Sequence, residues 1–333
     1  QSIADAMGEV LRRTAVSVNV KERLDFSCAV FRGDGALIAN APHVPVHLGA
    51  MGHTVRHIAQ SFPQMSEGDC YVSNDPYAGG SHLPDVTVVT PVFCSSDSGR
   101  PDFYVASRAH HAEIGGRTPG SMPPMATSLA EEGVLIRAFP LVRDGVSNED
   151  ELERLLSSGP YPSRNVPENL ADLRAQIAAG REGVRAIRQM TGEVPLPIVQ
   201  QMMGRLLDVA ERSVVRWIES LPEESMRFAD TLDDGTVIAV SMVREGARLV
   251  IDFDGTSDVH PRGFNATESI VSSAVLYVMR CFCDSNLPLC DGAMRPIDLR
   301  IPRGLLSPPA DTDPRKCAAV VAGNVETSQR LVD

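Results

Sequence analysis

The period of the apolar residues switches near residue 148, and that switch bounds what this chain can fold into. Before it, the pattern is strand and turn. Phe26-Ser27-Cys28-Ala29-Val30-Phe31 and Ala36-Leu37-Ile38-Ala39 flank Gly33-Asp34-Gly35, so two apolar runs around a D-G turn predict a hairpin. Val86 to Thr90 and Phe103 to Ala106 predict two more strands, separated by the polar turn Ser95 to Asp102. After the switch, Leu170, Leu173, Ile177, Val184 and Ile187 form one helical stripe, and Val199, Met202, Leu206, Val209 and Trp217 a second. Both stripes read as core. Strands return at Thr236 to Val240 and Arg248 to Phe253 around Glu245-Gly246, and Ser269 to Cys283 reads as a buried helix before a Pro-rich connector at Pro302 to Asp313. The expectation is an α+β fold: a mixed or antiparallel β-rich N-terminal domain over 1–147, a helical segment over 148–225, and a second α+β region over 226–333. With no initiator Met, a first segment already amphipathic (Ile3, Met7, Val10, Leu11) and no polar tail, the sequence reads as a fragment incomplete at its C-terminus.

Charge and motifs narrow the function. Asp+Glu 43 against Lys+Arg 31 give a formal charge of -12, which disfavours a phosphate-backbone binder and so nucleic acid. No run approaches the ~18 apolar residues of a membrane span, and the N-terminus lacks the basic and apolar regions of a signal peptide, so a cytoplasmic protein is expected. The seven scattered cysteines read as reduced thiols, with Cys281, Cys283 and Cys290 packing rather than binding zinc. Lys21 and Lys316 are the only lysines, leaving 29 arginines, a skew that reads as the codon bias of a GC-rich bacterium. No P-loop, strand-linked G-x-G-x-x-G, G-x-S-x-G, H-E-x-x-H or S-x-x-K motif is present, so any ATP chemistry belongs elsewhere.

Chemistry concentrates in Ser73-Asn74-Asp75-Pro76-Tyr77-Ala78-Gly79-Gly80-Ser81-His82-Leu83-Pro84-Asp85, directly before an apolar strand. His82 and Asp85, three apart in a turn stiffened by Pro84, can converge on one divalent ion, for which Zn, Mn or Fe suit an N/O ligand set. Antiparallel pairing of the next two strands brings His110-His111 beside them. Adjacent strand residues face opposite sides, so one histidine of that pair is expected to bind and the other not. A lone His-x-x-Asp arises often by chance; two histidine-bearing turns joined by one hairpin, each flanked by glycines, favour a metal site. Gly79-Gly80 and Gly115-Gly116 read as room kept open beside it. The further run His43, His47, His53 and His57 fits a loop followed by a helix face, where packing or substrate contact is as plausible a role.

These residues lie within blocks that resemble the hydantoinase B/oxoprolinase family, in one order along nearly the whole chain. The blocks are Glu22-Arg23-Leu24-Asp25-Phe26-Ser27-Cys28, Ala41-Pro42-His43-Val44-Pro45-Val46-His47-Leu48-Gly49, Asn74-Asp75-Pro76-Tyr77 to Asp85, His110 to Gly116, Pro119 to Pro124 and Gly323-Asn324-Val325-Glu326-Thr327-Ser328-Gln329. The resemblance implies a B-type catalytic subunit working with an ATP-using hydantoinase A-type partner in a hetero-oligomer. It puts His82, Asp85 and one of His110 or His111 on the family's metal positions, with Asp25 as fourth ligand. Members are typically longer than this chain.

The first reading is therefore a metal-dependent, ATP-dependent hydrolase of a cyclic amide such as a hydantoin, 5-oxoproline or a lactam. In it, a partner-activated amide carbon is attacked by metal-bound water, whose pKa falls toward ~7, with Asp75 or Glu113 as general base. The alternative is the alpha-type subunit of an acetone or acetophenone carboxylase. A non-catalytic assembly subunit with a closed structural metal is the third reading, and the glycine pairs speak against it.

Overall fold

The computed structural model describes residues 1–41, 47, 49–95, 99–283 and 287–333. Helix α1 (Ser2–Thr14) turns Ala4, Met7, Gly8 and Leu11 inward, the face its amphipathic spacing predicts. After the one-turn helix α2 (Val18–Lys21), strands β1 (Phe26–Arg32) and β2 (Leu37–Ala41) form the expected hairpin. Helix α3 (Met51–Ser61) precedes β3 (Cys70–Ser73), β4 (Asp85–Val92), β5 (Phe103–His110), β6 (Phe139–Arg143) and β7 (Val146–Ser147). The strands make one sheet in the order β2-β1-β5-β4-β3-β6-β7, each neighbouring pair antiparallel.

This sheet is covered on both faces, which is why all eight residues of β4 are buried. Along β1, Phe26, Cys28 and Val30 pack with Met7, Leu11 and Ile187, whereas Ala29 and Phe31 pack with Met51, Val55 and Ile58 of α3. The two-residue strand period thus assigns alternate side chains to the α1 and α3 faces. The helix α5 described next shares the α1 face, and the histidine cluster lies on the α3 face.

Helices α4 (Glu149–Leu156), α5 (Val166–Glu193) and α6 (Leu196–Glu219) follow. Helix α5 lies against α1, β4 and β5 and buries Leu170, Leu173 and Ile187 as its stripe predicts. Helix α6 is rotated from expectation. Its buried face is Val199, Leu207, Ala210, Val214 and Ile218, while Met202 is 56% and Val209 43% exposed. The cause is a close backbone approach: a Cβ on Gly292 would stand 2.1 Å from the Leu207 carbonyl oxygen, so the turn Asp291–Met294 fixes which side of α6 faces inward.

Strands β8 (Met226–Thr231), β9 (Val237–Glu245) and β10 (Arg248–Asp252), with β11 (Ile297–Arg300) after helix α7 (Glu268–Phe282), form a second sheet ordered β11-β10-β9-β8. β10 and β11 are parallel, the other pairs antiparallel. One core joins this sheet to α6 and α7 through Leu207, Val214, Ile251, Ile270 and Leu276. The short helix α8 (Ser328–Val332) ends the described chain. The fold is mixed α+β with mainly antiparallel sheets, as the period switch predicts. Cys290 is buried in the second core and Cys281 is exposed; all seven cysteines are free thiols. Among the described residues no helix is long and apolar enough to cross a membrane.

Candidate metal centre

Strand register builds the centre. Asp85 opens β4 and pairs directly with His110 at the end of β5, so their side chains leave the same face side by side. The turn before β4 brings in His82, and Asn74 holds that turn: its amide donates to the Leu83 and Val134 carbonyls, while its oxygen accepts from the Ile136 amide. The ligand atoms of His82, Asp85 and His110 lie within 4.8 Å of one another. The His82 and His110 ring centroids are 5.0 Å apart.

Two further groups reach the cluster. His47 Nε2 is 3.3 Å from Asp85 Oδ2, and its Nδ1 is hydrogen-bonded to Ser27 Oγ at 3.0 Å, so β1 fixes its ring. His47, for which the sequence suggested packing or substrate contact, was not expected among the ligands, because it is far from His82, Asp85 and His110 in the chain. Asp25 Oδ2 lies 3.9 Å from His110 Nδ1, and the Asp25 backbone carbonyl accepts from the His110 amide. The Asp25 side chain is 33% exposed against 1% for Asp85, so it forms the accessible edge of the cluster. His43 lies outside the described residues. His53 and His57 sit on α3, the helix expected there.

The electrostatics suit a cation. Burial opposes ionisation of Asp85, but the adjacent His82 and His47 outweigh it and hold the carboxyl well below its usual range. Burial lowers the His82 pKa despite Asp85, which favours the neutral imidazole that binds metal. For His110, burial is outweighed by the Asp85 carboxylate, whose Oδ1 stands 3.3 Å from His110 Nδ1, and its pKa is raised. Both ring nitrogens of His82 and Oδ1 of Asp85 are buried without a hydrogen-bond partner; the 3.1 Å approach of His82 Nδ1 to Asp85 Oδ2 lacks the angle for one. Ser81 Oγ donates to Asp85 Oδ2. Buried polar atoms with converging lone pairs and no donor fit a divalent cation, and the N/O set suits Zn, Mn or Fe.

The remaining expected site residues are elsewhere. His111 is on the α5 face: its Nδ1 accepts from Asn169 Nδ2 at 3.1 Å and its Nε2 pairs with Gln176 Oε1 at 3.2 Å. The two-residue strand period, continued one residue past β5, sends it away from the cluster and corrects its candidacy as a ligand. Asp75 caps the turn Pro76–Ala78 through the Tyr77 amide and pairs with Arg137 Nε at 3.0 Å. Glu113 accepts from the Gly115 and Gly120 amides and from Arg164. Both carboxylates, expected as general bases, have their oxygens committed to holding loops. The glycine pairs also differ from expectation, because they mark contact rather than open room. A Cβ on Gly79 would stand 2.3 Å from the Thr54 amide nitrogen, and one on Gly115 2.3 Å from the Tyr161 carbonyl oxygen.

Residues 1–333 match the Hydantoinase B/oxoprolinase family, and the chain belongs to it. It is 42% identical to 5-oxoprolinase 1 of Arabidopsis thaliana over 99% of this chain, but spans only 28% of that protein's length. Its fold matches the ATP-dependent caprolactamase from Pseudomonas jessenii with a TM-score of 0.87 at 23% identity, over 100% of this chain and 56% of that one. It also matches acetone carboxylase in its nucleotide-free structure with a TM-score of 0.82 at 17% identity, over 96% of this chain and 44% of that one. With a plant protein at 42% identity, the arginine excess carries no bacterial origin. The plant relative is one long chain of which this region is a part, so a separate A-type subunit does not follow from the likeness.

Proposed function

We propose that this chain is the metal-bearing catalytic region of an ATP-dependent cyclic amide hydrolase of the 5-oxoprolinase and hydantoinase type. The observation that carries the reading is the convergence of His82, Asp85 and His110, with orphaned buried atoms, in a chain of this family. His82, Asp85 and His110 would hold the ion, with His47 and Asp25 completing or orienting its ligands. When bound, the ion supplies Lewis-acid polarisation of an amide carbonyl and acidifies water. Ser81 and Ser27 orient Asp85 and His47, and the exposed edge at Asp25 is where substrate enters. Asp75 and Glu113 position the loops beside the cluster. The ATP-using step, for which this chain has no P-loop, belongs to another region or polypeptide. Carboxylation of a ketone is the second reading, favoured by the acetone carboxylase fold match; the greater identity to a protein named 5-oxoprolinase supports hydrolysis over it.

The test loads the chain with Zn, Mn or Fe and measures bound metal, then assays it on 5-oxoproline, hydantoins and acetone with ATP and the ATP-using component. His82→Ala and Asp85→Asn are expected to lose the ion and product formation together. Wild-type metal content in both variants would sink the site, and carbon dioxide fixation without amide hydrolysis would favour the second reading.

A further inference from the structure

Arg108 precedes His110 by two residues on β5 and pairs in register with Thr87, just as His110 pairs with Asp85. The two-residue period puts all four side chains on the α3 face. Arg108 is fully buried. Its Nε donates to Thr87 Oγ1 at 2.8 Å, and its Nη2 donates to Thr54 Oγ1 and to the Gly79 carbonyl, both at 2.9 Å. One planar group thus joins β4, α3 and the turn that leads into His82.

We propose that Arg108 is a positioning residue of the metal centre, which sets His82 in place through the Gly79 carbonyl; the proposal rests on the reading of the cluster as a metal site. Neither ring nitrogen of His82 has a hydrogen-bond partner, so the backbone on either side fixes where the ring stands. That backbone is tied at two carbonyls, Leu83 by Asn74 and Gly79 by Arg108. Gly79 has a φ of +96° and lies directly on α3, where a Cβ would meet the Thr54 amide nitrogen. The guanidinium fills that corner and bonds both of its sides, the Thr54 hydroxyl on the helix and the Gly79 carbonyl on the turn.

Stability alone accounts poorly for an arginine here. A buried charge is costly unless it is paired, yet the three acceptors of Arg108 are neutral and its Nη1 has no partner. Asp85 is the carboxylate whose charge acts on it. What the guanidinium adds is a rigid fork, with donors aimed at fixed angles toward three segments at once, which the single ammonium of a lysine does not reproduce.

The experiment measures zinc affinity of the full chain by competition with a chelator, beside urea unfolding and hydrogen exchange over residues 79–83 of the metal-free protein. Arg108→Met should weaken zinc binding about tenfold or more and speed exchange in that turn, and Arg108→Lys should recover part of both. Thr54→Val keeps the side-chain shape and leaves the arginine in place, so it serves if Arg108→Met does not fold; it should weaken zinc binding about threefold. Reduced stability with zinc affinity and turn exchange unchanged would mean a purely structural arginine and overturn the proposal, as would unchanged affinity in both Arg108→Lys and Thr54→Val. Tighter zinc binding by Arg108→Met would also overturn it, since the arginine would then act by repelling the ion. A wild-type chain that takes up no zinc would overturn the metal centre itself, which separates that failure from this one.

Discussion

His110 and His111 are adjacent in sequence and serve opposite faces of one sheet. The first stands beside Asp85, and the second is a satisfied polar group between Asn169 and Gln176, whose side-chain amide also ties down the Val86 and Ser107 carbonyls. His110→Ala should therefore remove bound metal with little loss of stability. His111→Ala should retain metal but cost about 1–3 kcal/mol, because Asn169 and Gln176 are left with unpaired buried groups. Metal analysis beside urea unfolding of the two variants distinguishes them, and equal metal loss in both would break the face assignment. The spacing of His82, Asp85 and the histidine pair was legible in the sequence because one hairpin links them. His47 was not, since its contact with Asp85 and Ser27 joins parts of the chain that only the folded sheet brings together.

At the level of elements, the strands and helices expected from apolar period are present, and the failure in α6 has a definite cause. Period alone favoured the large side chains Met202 and Val209, but contact with the turn at Gly292 selects the face carrying Leu207 and the small Ala210. Leu207→Ala should cost about 2–5 kcal/mol, and Met202→Ala should stay within about 0.5 kcal/mol of wild type. Thermal or urea unfolding of this pair checks the rotation. A larger cost at Met202 than at Leu207 would restore the stripe read from the sequence.

At the scale of the molecule, Glu132 joins distant parts of the chain. Fully buried, it accepts from the Val320 and Val321 amides through Oε1 while Oε2 has no partner. Burial outweighs those amides and pushes its pKa from 4.5 up to about 8. The folded state therefore holds a proton that the unfolded chain has released, and stability falls as pH rises from about 4.5 to about 8, by at most about 1.4 kcal/mol per pH unit. Glu132→Gln should flatten that part of the profile and be at least as stable as wild type above pH 8. Urea midpoints at pH 5, 7 and 8 for both proteins test this, and parallel profiles would mean that Glu132 is ionised in the fold.

The order of strands and helices, and the hairpin that sets Asp85 against His110, follow from the sequence by itself, because apolar period and turn residues act over a few neighbours. What covers each element is decided only in three dimensions. The commitment of Asp75 and Glu113 to loops, the approach of His47 to Asp85 and the close packing at Gly79 and Gly115 all depend on segments far apart in the chain. Burial and hydrogen-bond satisfaction are properties of the assembled core, and a local pattern of residue types does not contain them.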